Sequence, residues 1–365
     1  MRYLAVVLPL MMLLSACSSK PQPTPGQETL NAPASGGFLL QPDHVGAAQT
    51  GDFAADPAVD RFVDKMVREH GFDRQQLHDV LAQTRRLDWV LDLMDRQAPI
   101  SLPPTGPNGA WIRYRNKFIT PGNVQNGVAF WDQYQDALQR AWEVYGVSPE
   151  IIVGIIGVET RWGRVMGKTR IIDALATLAF DYPRRSDYFT GELETFLLMA
   201  RSEGDDPLSL RGSYAGAMGY GQFMPSSFKA YAVDFDGDGH VNLWDPVDAI
   251  GSVANYFKAH GWVKGGAVAV PAQGQAPFLA QGYNTRYPVA TLTAAGLSPR
   301  GSLQGNDDAS LLRLDMGNYY QYWFGLPNFF VITRYNHSTQ YAMAVWQLGE
   351  AVSRARQGNM LLTSG

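Results

Sequence analysis

The chain has one cysteine, Cys17, in 365 residues, so it can form no internal disulfide. It has no run of basic residues, and its formal net charge is only −4, which counts against nucleic acid as a partner. It has no apolar stretch at its start long enough to anchor stably across a bilayer, because the stretch from Leu4 to Leu14 is too short. No Gly-Lys-Ser/Thr follows its glycine-rich segment, which excludes a phosphate loop. No internal repeat is evident. Aromatic residues are plentiful, with nine Trp and seventeen Tyr. Core packing and sugar stacking both use such residues, and composition does not choose between them.

The N-terminus reads as a targeting segment and is kept out of fold reasoning. Met1-Arg2 gives a positive start, the short apolar stretch follows, and Leu14-Ser15-Ala16-Cys17 resembles the bacterial lipobox. Residues 1–16 are expected to be a lipoprotein signal peptide and Cys17 the lipidated residue. Ser18 in place of Asp points to the outer membrane, facing the periplasm of a Gram-negative cell. The alternative is a secretory signal with an incidental cysteine. Residues 17–55 are rich in Pro, Ser, Gly, Ala and Gln and read as a flexible tether.

Beyond the tether, about 300 residues are too many for one simple core, so two or three subdomains are expected. Asp56-Pro57 opens a helix ended by Gly71, and Asp73 caps a second. Val128, Trp131, Leu138, Ala141, Trp142 and Tyr145 predict one long amphipathic helix stopped at Gly146. Residues 56–146 thus form an expected α-helical domain. Residues 147–260 carry further helices near 172–180, 191–202, 226–233 and 247–260. Residues 261–326 turn rich in Gly and Pro, with strands expected at 267–270, 311–314 and 319–324. Residues 327–365 return to the core, with helical pattern resuming after Asn336-His-Ser338 and Tyr341, Val345, Leu348 and Val352 as its apolar positions. The fold class is α+β, mostly α.

Glu159 is the most informative residue. It stands alone near the end of an apolar run, Ile151-Ile-Val-Gly-Ile-Ile-Gly-Val158. That run has no polar face, so its helix should be buried. Ser148-Pro149 supplies an N-cap and a first-turn proline, and Gly163 lies where a stop is expected. Burial and the negative helix end both raise a carboxyl pKa, as a general acid requires. The competing arrangement is a solvent-facing Glu159 paired with Arg161 or Arg164.

Two further segments carry chemistry. Asp234-Phe-Asp236-Gly-Asp238-Gly239-His240-Val-Asn242-Leu-Trp-Asp245 has EF-hand spacing, with helical patterns on both sides. Asp234, Asp236 and Asp238 take positions one, three and five, and Gly239 permits the turn. His240 offers its backbone carbonyl, Asn242 the water-mediated position, and Asp245 stands where Glu is usual. A structural Ca²⁺ is expected; the alternative is an acidic solvated turn. The stretch from Arg211 to Ser227 is glycine-rich, which lets backbone approach a ligand closely. Alone it is equally a tight turn leading into a helix.

Together, Gly157-Val-Glu-Thr-Arg-Trp-Gly163, Gly216-Ala-Met-Gly-Tyr-Gly-Gln-Phe-Met-Pro225, the calcium loop and Asn255-Tyr256 resemble the membrane-bound lytic murein transglycosylase B family. The resemblance runs from about Asp56 to the C-terminal helix. It implies a lysozyme-like core flanked by an α domain and a small β domain. It implies cleavage of the β-1,4 bond between N-acetylmuramic acid and N-acetylglucosamine in peptidoglycan, with no organic cofactor. By position, Glu159 resembles the family's acid/base. Ser213 and Gln222 resemble its polar site residues, and Tyr114, Tyr256, Tyr335, Asn336 and Tyr341 its sugar groove. Arg184 and Arg185 resemble a pair facing the charged stem peptide. For the tyrosines the alternative is core packing, strongest for Tyr341 on its apolar stripe; for the arginines it is a solvated loop. Glycan strands are the expected partner, with the outer membrane through the lipid and other wall enzymes beside them.

Ordinary glycosidases set two carboxyl groups across the scissile bond. Asp173 and Asp181 are nearest in sequence to Glu159, and neither has comparable local support. The resemblance implies that none is needed, because the sugar's own 6-hydroxyl attacks and leaves a 1,6-anhydro product. A muramidase using water, or a non-catalytic wall-binding lipoprotein, are the competing functions.

Overall fold

The computed structural model describes residues 51–53, 56–96 and 106–363, with side chains described as far as 358. The signal peptide, Cys17 and nearly all of the tether lie outside the described residues. Contacts divide the described chain into two compact units. One runs to Trp162 and resumes at Val253. The other holds the residues up to Arg96 together with Gly163–Ser252. This is not the division that composition suggests. The expected 56–146 domain is split, its first three helices grouping with the 163–252 segment and the rest with the Glu159 helix.

In the first unit, the apolar run forms the Pro149–Thr160 helix, with Ile151 to Val158 all buried. Ser148 sits at the N-cap without a side-chain cap bond, and Pro149 fills the first turn, where its missing N–H costs nothing. The helix ends earlier than Gly163. Arg161 and Trp162 both take left-handed backbone, with φ of 51° and 56°. Their N–H groups close on the carbonyls of Gly157 and Ile156 in a Schellman-type end. The Trp162 indole folds back on its own helix and donates to the Val153 carbonyl at 3.1 Å.

One glycine of this run, Gly154, and one of the helix packed on it, Gly349, let two backbones meet. A Cβ on Gly154 would lie 2.3 Å from the Val345 carbonyl oxygen, and one on Gly349 would lie 2.0 Å from that of Glu150. The Glu159 helix and the C-terminal helix, Thr339–Thr363, therefore meet backbone to backbone. Tyr341, Val345, Leu348 and Val352 line the buried face of that C-terminal helix.

The expected long helix over residues 128–145 is two helices, Pro121–Gln133 and Gln135–Tyr145. No proline or glycine marks the break at Tyr134. Arg356 spans it instead, donating to Asp132 at 2.6 Å and to Gln135 at 2.5 Å. Gly146 ends the second helix in left-handed backbone, as expected. Two helices without a clear sequence signal also appear here, Ala110–Arg115 and Pro327–Tyr335.

The β-rich stretch forms a five-stranded sheet with every pair antiparallel. Its order is Tyr287–Pro288, Asp308–Asp315, Tyr320–Gly325, Ala269–Gln273 and Ser298–Pro299. Leu311 faces Phe324 and Leu312 faces Trp323 in the central pair. Val270, Leu297, Leu311, Tyr322 and Phe324 make a core of the sheet's own.

In the second unit, Asp56 and Asp73 cap Pro57–His70 and Arg74–Leu81 through their side chains, and Gly71 closes the first helix in left-handed backbone. Asp88–Arg96 follows. The Ile171–Asp181 helix is almost wholly buried, and Ser186–Glu203 and Pro225–Tyr231 complete the helical set. Lys65 and His70 both reach the Glu194 carboxylate, at 2.5 and 2.7 Å. The Pro246–Ala259 helix crosses the boundary between the units. No single described helix is long and apolar enough to cross a membrane.

Candidate active site

The left-handed end of its helix leaves Glu159 in the last turn, surrounded by phenols. Tyr341 is fully buried, and its hydroxyl donates to Glu159 Oε1 at 2.5 Å. Tyr341 therefore lies on the apolar stripe and also bonds the carboxyl. Glu159 Oε2 is sealed from solvent and has no hydrogen-bond partner among the described residues. Desolvation pushes the carboxyl up from its ordinary 4.5 to about 8, against the opposing pull of the Tyr341 bond. The solvent-facing pair with Arg161 or Arg164 is not what forms. Glu159 instead holds its proton at neutral pH, with that proton not committed to an acceptor.

Two further phenols, those of Tyr335 and Tyr114, sense the carboxyl as Tyr341 does. Burial raises the hydroxyl pKa values of Tyr335 and Tyr341 well above the usual range, and the negative charge of Glu159 adds to it. Tyr114, on the Ala110–Arg115 helix, is raised for the same two reasons. Tyr256 stands edge-on to Tyr335 with ring centroids 4.8 Å apart, and its hydroxyl donates to the Arg334 carbonyl at 2.6 Å. Asn336 is buried at the end of the Pro327–Tyr335 helix. The structure thus brings Tyr114, Tyr256, Tyr335, Asn336, Tyr341 and Glu159 into one unit.

Ser213, Gln222, Arg184 and Arg185 belong to the other unit. Ser213 Oγ accepts from the Ala217 N–H at 2.9 Å and the Ala215 N–H at 3.3 Å, so it holds its own glycine-rich turn. Gln222 takes left-handed backbone, and its amide donates to the carbonyls of Gly219 and Met166. Gly219 is required where it stands, because a Cβ there would meet the Leu243 carbonyl oxygen at 2.1 Å. Arg184 is exposed, 3.6 Å from Asp95, whereas Arg185 lies over the Tyr188 ring.

Neither candidate second carboxylate is uncommitted. Asp173 accepts from the Arg85 N–H and from two nitrogens of the Arg170 guanidinium, at 2.7 to 2.9 Å. Asp181 pairs with Arg86 at 3.5 Å.

The acidic loop brings in a carboxylate that the EF-hand spacing does not name. Carboxylate oxygens of Asp234, Asp236 and Asp248 lie within 4.8 Å of one another. Asp238 is not among them, and neither is Asp245. Its Oδ1 accepts from the Val247 and Asp248 N–H groups and so caps the Pro246–Ala259 helix. Asp248 is buried, and its carboxylate accepts from the N–H groups of Phe235, Asp236 and Asn242. The Asp245-Pro246 pair is the signal that sequence reading missed, since Asp before Pro is an N-cap and first-turn pattern. Asp238 Oδ1 accepts from the His240 N–H at 2.8 Å, and Gly237 and Gly239 take positive φ. The His240 ring is exposed, 3.8 Å from Glu203. Clustered hard oxygens on a turn of this kind suit Ca²⁺.

A mostly helical fold that sets one carboxyl of raised pKa among buried phenols agrees with the lysozyme-like core expected from the sequence. The family described as the transglycosylase SLT domain matches residues 54–350. The Escherichia coli K12 protein named membrane-bound lytic murein transglycosylase B is 70% identical over 357 residues, covering 97% of this chain and 99% of that protein. The E. coli lytic transglycosylase SLT35 solved with calcium is 72% identical at a TM-score of 0.81, covering 84% of this chain and 96% of that one. The same enzyme solved with bulgecin A is 73% identical at the same TM-score, with the same coverage. The chain belongs to the transglycosylase SLT family.

Proposed function

We propose that this lytic transglycosylase cleaves the β-1,4 bond between N-acetylmuramic acid and N-acetylglucosamine in peptidoglycan, with Glu159 acting first as acid and then as base. The observation that carries this reading is the Glu159 carboxyl, bonded by Tyr341 through Oε1 with Oε2 unpartnered, where desolvation pushes its pKa up to about 8. Its proton passes to the glycosidic oxygen as the bond from C1 to that oxygen breaks. The carboxylate left behind keeps the Tyr341 hydrogen bond, which stabilises the charge at that stage. The carboxylate then takes the proton of the 6-hydroxyl as that oxygen attacks C1. A 1,6-anhydro ring forms, and Glu159 is protonated again. An intramolecular nucleophile has a high effective concentration, so no second carboxylate is needed to position water.

Tyr114, Tyr256, Tyr335 and Asn336 would line the sugar groove beside Tyr341. Ser213 and Gln222 would present the glycine-rich turn to the glycan, and Arg184 and Arg185 would face the acidic stem peptide. A structural Ca²⁺ would be held by Asp234, Asp236 and Asp248, with Asp238 and the His240 carbonyl completing the loop. A relative solved with calcium supports this ligand. Cys17 would carry the lipid and set the protein on the inner face of the outer membrane, in keeping with the membrane-bound name of its E. coli relative. Partners in wall synthesis or hydrolysis would meet it there.

Mass spectrometry of digested peptidoglycan tests the reaction. Anhydro-muramoyl ends are expected. Hydrated reducing ends as the main product would overturn the mechanism in favour of a muramidase, and wall binding without released fragments would overturn catalysis itself.

A further inference from the structure

The six-residue helix that carries Tyr114 has no means of standing alone. Isolated helices shorter than about 12 residues are marginal in water. Its N-cap is Gly109, at φ 80°, which offers no side-chain acceptor to the free N–H groups of the first turn. Asp315, 206 residues from Gly109 at the end of the Asp308–Asp315 strand, instead takes the N–H groups that lead into that turn. Asp315 Oδ1 accepts from the Gly109 N–H at 2.8 Å, and Oδ2 accepts from the Asn108 N–H at 2.8 Å. The same carboxylate takes the Gly317 N–H at 3.0 Å, which closes the turn after its own strand. The two segments come close here, since a Cβ on Gly109 would stand 3.6 Å from the Gly317 Cα. At the other end of the helix, Arg115 donates to Gln347 of the C-terminal helix at 3.2 Å.

We propose that Asp315 is a positioning residue for Tyr114: by capping the Ala110–Arg115 helix from the sheet, it holds the Tyr114 phenol beside Glu159, so the small sheet shapes the glycan groove without touching glycan. Burial works slightly against the Asp315 charge, but the backbone N–H groups of Asn108, Gly109, Gly317 and Ala110 hold its pKa down to about 2. The cap is therefore charged at any pH at which the enzyme is assayed. One step farther along, Trp111 is buried with its ring stacked on Tyr114 at 6.4 Å, so a shift of the first turn is passed to the phenol. The inference rests on the groove reading of Tyr114 given above.

A double-mutant cycle on a soluble glycan substrate tests it, using Asp315→Ala, Tyr114→Phe and the pair. Asp315→Ala is expected to raise KM about fivefold, the size of a lost helix cap, with kcat nearly unchanged. The double variant should be no worse than Tyr114→Phe alone, because the carboxylate acts through the phenol. Additive effects, or an unchanged KM in Asp315→Ala, overturn the proposal. An unchanged KM in Tyr114→Phe overturns the groove reading and the proposal with it. If Asp315→Ala melts early, Asp315→Asn, which keeps one acceptor oxygen, carries the cycle. A second readout does not depend on turnover: the ¹⁹F resonance of 3-fluorotyrosine at position 114. In the otherwise unchanged protein it should shift as Glu159 titrates, and Glu159→Gln should abolish the shift. Folded Asp315→Asn should weaken the response, and an undiminished response sinks the proposal.

Discussion

Replacing Glu159 with Gln should make the protein more stable, by an amount that grows with pH. Glu159 titrates at about 8 in the folded protein against 4.5 for an ordinary carboxyl, chiefly because it is desolvated. Below 4.5 both the folded and unfolded chains carry the proton, and the group places no pH-dependent load on the fold. Between 4.5 and 8 the unfolded chain has lost the proton while the folded chain still holds it. Stability then falls by about 1.4 kcal/mol for each pH unit, and the fall stops above 8. The accumulated loss is about 3 kcal/mol at pH 7 and about 5 kcal/mol above pH 8. Gln keeps the shape and an oxygen for Tyr341, and removes the titration. Its amide N–H₂ replaces the buried Oε2 and lacks an acceptor there, which lowers the gain by a pH-independent amount of about 1–3 kcal/mol. Thermal melts of the two proteins from pH 4.5 to 9 isolate the pH-dependent part. The melting temperature of Glu159→Gln relative to the parent should rise from pH 4.5 to about 8 and level off above it, by about 10 °C in total as an upper figure. A difference that stays flat with pH would refute the buried, protonated carboxyl. The same variant should lose activity by at least about 10²–10⁴, the worth of a positioned acid or base.

Tyr341→Phe removes the donor that favours the carboxylate, so the Glu159 pKa should move further up. The alkaline limb of kcat/KM should move with it, and a downward move would contradict the assignment. Asp248→Asn should abolish the rise in melting temperature given by added Ca²⁺, whereas Asp245→Asn should keep that rise and lose at most about 1 kcal/mol of helix capping. The reverse pattern would restore Asp245 as the ligand. Gly154→Ala places a methyl 2.3 Å from the Val345 carbonyl oxygen and should cost about 1–3 kcal/mol, read as a lower denaturant midpoint at unchanged slope. A neutral result would mean that the two helices do not meet as closely as described.

Local chemistry was legible in the sequence, and partners from far along the chain were not. The buried helix could be read from an unbroken apolar run, and its end from the residues after Glu159, though the left-handed turn falls at Arg161 and Trp162 rather than at Gly163. The caps at Asp56 and Asp73 and the stops at Gly71 and Gly146 are local and stand where the residue types indicate. The break at Tyr134 is different, because no breaker residue marks it and Arg356, more than 200 residues away, spans it. The Ala110–Arg115 helix showed no period because six residues make less than two turns, and its cap belongs to a distant strand. The EF-hand spacing located the acidic turn but counted to Asp245. Helix capping competes for that side chain, and a buried carboxylate three residues on takes its place in the cluster.

The glycines of the Glu159 helix and the raised pKa of Glu159 have one cause. Glycine is a poor helix former, costing about 1 kcal/mol relative to alanine at each interior position. Two left-handed residues at the helix end cost roughly 1–2 kcal/mol each, and the desolvated carboxyl adds its own load at neutral pH. All three penalties fall within four turns of one helix. What opposes them is contact that only glycine permits. Gly154 lets the Val345 backbone close in, and Gly157 leaves room for the Trp162 ring, which a Cβ there would meet at 2.6 Å. Close approach brings the C-terminal helix near enough for Tyr341 to reach Glu159, while the Trp162 indole closes back on the same helix at Val153. A better helix former at Gly154 or Gly157 would push the neighbour out, admit water and let the pKa of Glu159 fall toward its ordinary value. The low helix propensity of this segment is therefore a condition of the acid role proposed for Glu159.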